Sequence, residues 1–115
     1  MIPSSDPYHS IRDARRALAD GNDGRARVSS RMAVGIAAQM AAFRLGRDYG
    51  TDVMANLRGV RDDRSLADEI RAAAERLLGG PRDIASGSPF STDPIGDAEM
   101  IIGALMALIP DSDSG

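Results

Sequence analysis

The chain has 115 residues and a formal net charge of −3, which fits one domain built around a single hydrophobic core. It contains no cysteine, so disulfides, thiolate zinc sites, iron–sulfur clusters and a cysteine nucleophile are excluded, and we expect a cytoplasmic protein. It contains no lysine, which excludes Schiff-base chemistry. Only four residues are aromatic, which favours helices over strands.

The first predicted helix begins at Asp6-Pro7, with aspartate as the N-cap and proline at the first helical position, where its missing N–H costs nothing. We expect this helix to run to about Asp20, because the glycine-rich residues 21–24 provide the left-handed conformations that end a helix. The side chains expected to face the core are Ile11, Ala14 and Leu18.

The second helix is predicted from about residue 24 to residue 46 and is the most informative element. Between Met32 and Leu45 only Gln39 and Arg44 interrupt the apolar character, so this helix is apolar on nearly every side. Other helices or a second copy of the chain must then surround it, and we expect its burial to deepen toward the carboxyl end. The small residues that would let a neighbour come close are Gly35, Ala38 and Ala42.

Gln39 is expected to be buried in this apolar run, and a buried amide needs a hydrogen-bond partner. That partner is either a backbone carbonyl or another side chain, including the same glutamine of a second copy across a dimer axis. A contact between the two copies of Gln39 would fix the register of a dimer.

Two shorter helices are predicted next. Thr51-Asp52 caps a third helix, and Ser65 is the predicted N-cap of a fourth helix, which Gly79-Gly80-Pro81 ends. The expected inward-facing residues are Val53, Leu57 and Val60 in the third helix and Leu66, Ile70, Ala73 and Leu77 in the fourth.

Residues 79–94 show neither helical nor strand periodicity, so we expect a long loop. It is either a surface connection pinned by Ile84 and Phe90 or the cover of a small-molecule site. Asp93-Pro94 repeats the cap of the first helix and predicts a final helix that ends near Ile109, with a frayed tail over residues 110–115. The apolar stripe of the final helix is Ile95, Ala98, Ile102, Leu105 and Ile109.

Residue types that carry catalysis form no recognisable constellation. His9 is the only histidine, and the chain has neither a Gly-x-Ser-x-Gly turn nor a Glu-x-x-His motif. The adjacent acids Asp62-Asp63 and Asp68-Glu69 make no shared-proton pair by spacing, because neighbouring helical positions point about 100° apart. We therefore expect no catalytic residue, no metal and no cofactor.

Charge is unevenly distributed along the chain. Residues 1–50 carry eight arginines and five acids, whereas residues 51–115 carry six arginines and twelve acids. Such polarity fits helical layers of complementary charge, or phosphate contacts from arginines of the first half. Because the whole chain is acidic, we favour the first interpretation. The candidate phosphate contacts are Arg12, Arg15, Arg16, Arg25, Arg27 and Arg31.

The segment Ala14-Arg15-Arg16-Ala17-Leu18-Ala19-Asp20-Gly21, followed by Ala26-Arg27-Val28-Ser29-Ser30-Arg31-Met32-Ala33, resembles the first helical hairpin of HEPN domains. The resemblance implies a small helical bundle of a kind that often dimerises and occurs in toxin–antitoxin and RNA-processing systems. HEPN ribonucleases carry an arginine followed shortly by a histidine, whereas His9 precedes every arginine here. The resemblance therefore implies a binding role without nuclease activity.

Taken together, these patterns predict an all-α, single-domain bundle of four to five helices over residues 1–115. We expect a cytoplasmic, non-enzymatic interaction or assembly protein that forms a homo-oligomer, with a further protein partner as an option. Nucleic acid and membrane partners are not expected, since no apolar run reaches the ~20 residues of a bilayer span. The alternatives are an RNA-linked HEPN-like protein and a small-molecule-binding bundle. The interface candidates are Gln39, Ile102, Leu105 and Ile109.

Overall fold

Helices account for most of the chain in the computed structural model, which describes residues 6–79 and 90–109. They are α1 (Pro7–Ala19), α2 (Asp23–Leu45), α3 (Val53–Asp62), α4 (Asp68–Leu78) and α5 (Pro94–Leu108). The predicted all-α bundle of four to five helices is confirmed for these residues. Most of the predicted 79–94 loop and the whole 110–115 tail lie outside the described residues.

Polar caps begin four of these helices. The carboxylates of Asp6, Asp52 and Asp93 accept hydrogen bonds from backbone N–H groups in the first turns of α1, α3 and α5, at 2.8–3.0 Å. Asn22 caps α2 in the same way, and Gly46 ends α2 in the left-handed conformation with φ of 68°. The three aspartate caps predicted from the sequence are therefore confirmed.

The predicted start of the fourth helix is wrong. Helix α4 begins at Asp68, with its N-cap at Ala67, two residues later than the predicted cap, and with no side-chain cap. Ser65 instead forms a turn, because both its backbone N–H and its hydroxyl donate to the Asp63 carboxylate, at 3.0 and 2.7 Å. A serine that could cap a helix is thus used to hold the turn before it.

Helix α2 holds the bundle together, since α1, α3 and α5 all pack on it while α4 packs on α3 and α5. Its buried side consists mostly of small residues, and the larger core side chains come from its neighbours. Gly35 shows how close the approach is, because a Cβ there would lie 3.1 Å from a methyl group of Val53 in α3. The largest fully buried apolar side chains are Leu57, Leu77, Ile101, Ile102 and Leu105.

The expectation that α2 is surrounded on nearly every side is wrong for the single chain. Among the described residues, α1, α3 and α5 leave one side of α2 uncovered. Burial does not deepen toward the carboxyl end, where the Phe43 side chain is exposed. Leu18 of α1, predicted to face the core, is also exposed, and Ala17 is buried instead. An apolar residue at helical spacing faces the core only where another helix is present to cover it.

Candidate interaction surface

An apolar strip runs along the uncovered side of α2, and we call it the outer face: Val28, Met32, Ile36, Met40 and Phe43. The spacing of four, four, four and three residues aligns these side chains along the helix over about 22 Å. Phe43 is 87% exposed, Val28 54% and Met32 48%, while Ile36 is half-buried. Single exposed apolar residues are ordinary, but five aligned along one helix form a contiguous patch.

Gln39 lies beside the outer face and is exposed rather than buried. Its side-chain amide donates to the backbone carbonyl of Gly50, with 2.9 Å between Nε2 and the oxygen. The predicted carbonyl partner is therefore found within the same chain. The burial expected from the apolar run is not found, because α3 reaches only the tip of the Gln39 side chain, where Asn56 Oδ1 lies 3.4 Å from Nε2.

The other predicted interface residues belong to α5. Ile102 and Leu105 are completely buried in the single chain, where α5 packs between α2 and α4. Their regular spacing reflects this internal packing, so assigning them to a subunit interface is a misplacement. Ile109, the C-cap residue of α5, is half-buried and packs at the edge of the core.

The arginines predicted to contact phosphate do not form one open basic surface. Arg15 of α1 forms an ion pair with Glu99 of α5. Arg12 and Arg16 lie 3.8 Å from carboxylate oxygens of Asp6 and Asp13, on the same helix or its cap. Arg25 is exposed and makes no ion pair with any described residue.

Two further arginines of α2 hold the chain at both ends of residues 80–89. Arg31 donates to the carbonyls of Leu77 and Gly79, both at 2.8 Å. Arg27 donates to the carbonyl of Ser91 at 2.8 Å, and its guanidinium carbon lies 4.3 Å from the centre of the Phe90 ring. Burial, together with the positive charge of Arg27, lowers the pKa of Arg31. These two arginines therefore act as structural ties.

A polar cluster joins the turn after α2 to the turn after α3. The hydroxyl of Tyr49 and the guanidinium of Arg47 donate to one carboxylate oxygen of Asp63, at 2.5 and 2.8 Å. Partial burial alone would raise the pKa of Asp63, but the hydrogen bonds from Tyr49 and Ser65 and the charge of Arg47 outweigh it and lower the pKa to about 2. Tyr49 is almost fully buried and has a raised pKa, mainly because of burial.

Another polar cluster lies between α4 and α5. The carboxylate of Asp97 accepts two hydrogen bonds from Arg76, at 2.7 and 3.1 Å, and one from the Ser91 hydroxyl, at 2.6 Å. Sequence reasoning missed this cluster and that of Asp63, because no local pattern reveals which acid an arginine more than ten residues away will meet. Both clusters are fully hydrogen-bonded, so they explain stability rather than chemistry.

Side chains that bind metals are not gathered at one place in the part of the chain that the structure describes. Within residues 6–79 and 90–109, no group of three or more histidine, aspartate or glutamate side chains is placed to hold a metal ion. His9 lies 3.7 Å from Asp13 on the exposed side of α1. None of the described helices is both long and apolar enough to cross a membrane.

The outer face of α2 is the candidate functional site that we take forward. Comparisons with family models, with curated protein sequences and with solved structures find no match to this chain. A proposal for its function depends on the geometry of the described residues.

Proposed function

We propose that this protein is a small, non-enzymatic interaction protein that forms a homodimer through the outer face of α2. The observation that carries the proposal is the exposure of Phe43 at 87% within an apolar strip on the longest described helix. Leaving such a strip in water costs free energy that covering it recovers.

The size of the outer face fits a modest protein contact. From the exposed fractions of its side chains, it presents about 400 Å² of apolar surface per copy, about half of what one partner buries in a standard-size interface. A second copy fits this surface because the strip lies on a single helix and consists of apolar side chains. Such a patch can face itself across a two-fold axis, which closes the assembly at two chains.

The placement of the arginines supports this proposal over the RNA-linked alternative. Phosphate binding needs basic side chains that share one accessible surface. Here Arg15 is paired with Glu99, and Arg27 and Arg31 are used on backbone carbonyls. Of the six arginines, Arg25 is left beside the outer face without an acidic partner among the described residues.

Sedimentation equilibrium over a wide concentration range tests the proposal. The unmodified protein should rise from its monomer mass of 12.1 kDa toward twice that value as its concentration passes through the micromolar range. Phe43→Glu should remain a monomer with an unchanged circular dichroism spectrum. Leu18→Glu, on an exposed position of α1, is the matched control and should dimerise normally. A protein that stays monomeric up to about 200 μM overturns the proposal.

A further inference from the structure

We infer that two copies pair through antiparallel α2 helices, with a two-fold axis passing between Ile36 of one chain and Ile36 of the other. This inference depends on the proposed homodimer and adds the orientation and register of the partner. It comes from the order of the side chains along the outer face and from the charges at its two ends.

The outer face is nearly symmetric in spacing about Ile36. Met32 and Met40 lie four residues to either side of it, and Val28 and Phe43 lie eight residues before and seven after. Antiparallel pairing places each Met32 against the partner's Met40 and each Val28 against the partner's Phe43. A small side chain then meets a large one at both ends, so the two helices keep an even separation. Parallel pairing would set Phe43 against Phe43 at one end and Val28 against Val28 at the other, which wedges the helices apart.

The charges at the two ends of the outer face favour the same orientation. Arg25 lies on α2, eleven residues before Ile36, near the amino end of the outer face. Asp48 lies past the carboxyl end of α2, in the turn that folds back until Gly50 meets Gln39. Both residues are exposed, and neither forms an ion pair within the described chain. Antiparallel pairing places Arg25 at the end of the contact where the partner's Asp48 lies, at both ends of the dimer. Parallel pairing brings arginine to arginine and aspartate to aspartate, which is repulsive.

Disulfide trapping tests the orientation directly, because the chain has no cysteine of its own. In the antiparallel pair the two copies of Ile36 face each other, so Ile36→Cys should cross-link readily under mild oxidation. The two copies of Val28 lie about 24 Å apart along the helix axis and those of Phe43 about 21 Å apart, too far for a disulfide that needs Cα atoms within about 7 Å. Val28→Cys and Phe43→Cys should therefore not cross-link alone, but a mixture of the two should.

Leu18→Cys is the matched control for non-specific oxidation, since Leu18 is exposed on α1. The cross-linked yields of Ile36→Cys and of the mixed pair should exceed that of this control by about ten-fold or more at equal concentration. Rapid cross-linking of Phe43→Cys with itself would show a parallel dimer and overturn the inference while leaving the proposed function intact. Yields equal to the control in a protein that sediments as a dimer would place the interface elsewhere and overturn both.

Charge reversal gives an independent readout. Arg25→Asp should weaken dimerisation by placing two acids together at each end of the contact. Combining Arg25→Asp with Asp48→Arg should restore it, because the exchanged charges face each other again across the axis. Equal dimerisation of Arg25→Asp and the unmodified protein at low ionic strength contradicts the register, and circular dichroism of each variant confirms that the fold is kept.

Discussion

Replacing Phe43 by alanine should weaken dimerisation strongly while leaving the stability of the single chain unchanged. The side chain is 87% exposed, so it contributes almost no buried surface to the monomer. Truncation removes about 100 Å² of apolar surface per copy, or about 2.5 kcal/mol if the dimer covers the ring fully. Two copies then lose about 5 kcal/mol, and half coverage still gives about 2.5 kcal/mol, which weakens Kd about 60-fold.

Two measurements separate the effects on dimer and monomer. Sedimentation equilibrium gives Kd, and thermal unfolding followed by circular dichroism at a concentration well below Kd gives the stability of the monomer. Leu18→Ala, which truncates another exposed apolar side chain, should change neither quantity. An unchanged Kd for Phe43→Ala refutes the assignment of the outer face, and a marked fall in the melting temperature of the monomer refutes the placement of Phe43 outside the core.

Four further variants test the interior. Between pH 5 and pH 2 the unfolding free energy should fall by about 2 kcal/mol through Asp63, because its folded pKa of about 2 lies below the unfolded value. Urea titrations at several pH values should show a smaller fall for Asp63→Asn. A fall as large as that of the unmodified protein refutes the lowered pKa. Asp97→Ala leaves the half-buried Arg76 without its carboxylate partner and should lower the unfolding free energy by about 3 kcal/mol. No change in the same urea titration would show that the ion pair does not stabilise the fold. Gly35→Leu should cost at least about 2 kcal/mol by separating α2 from α3, and an unchanged melting temperature contradicts that close contact. Ile102→Glu should abolish helical circular dichroism, because it buries a charge in the core, and a folded but monomeric variant would return Ile102 to the interface.

Helix ends were largely predictable from the sequence because capping is local. Asp6, Asp52 and Asp93 each sit next to the helix they begin, so the residue type and its immediate neighbours decide the geometry. Ser65 shows the limit of this reasoning, since two local hydrogen-bonding patterns competed and Asp63 determined the outcome. The start of α4 therefore depended on a turn that no capping rule describes.

The burial of a side chain could be predicted from the sequence only where a neighbouring helix was certain to cover it. The pattern of apolar residues in α2 gives no count of the helices around it, so Phe43 and Val34 look alike in the sequence, although one is exposed and the other is fully buried. The groups that the arginines bind could not be predicted from the sequence either. The acids and carbonyls that Arg15 and Arg31 meet are brought together by packing of distant helices.

The ties made by Arg27 and Arg31 fix the two ends of the connection between α4 and α5. They lie one turn apart on α2 and hold the backbone at Ser91 and Gly79, so both ends of that connection are anchored to the same rigid helix. The entropy of closing a loop between fixed ends grows only with the logarithm of its length. Arg27 and Arg31 therefore set the separation of Gly79 and Ser91, so the packing of α5 on α4 does not have to close the connection by itself.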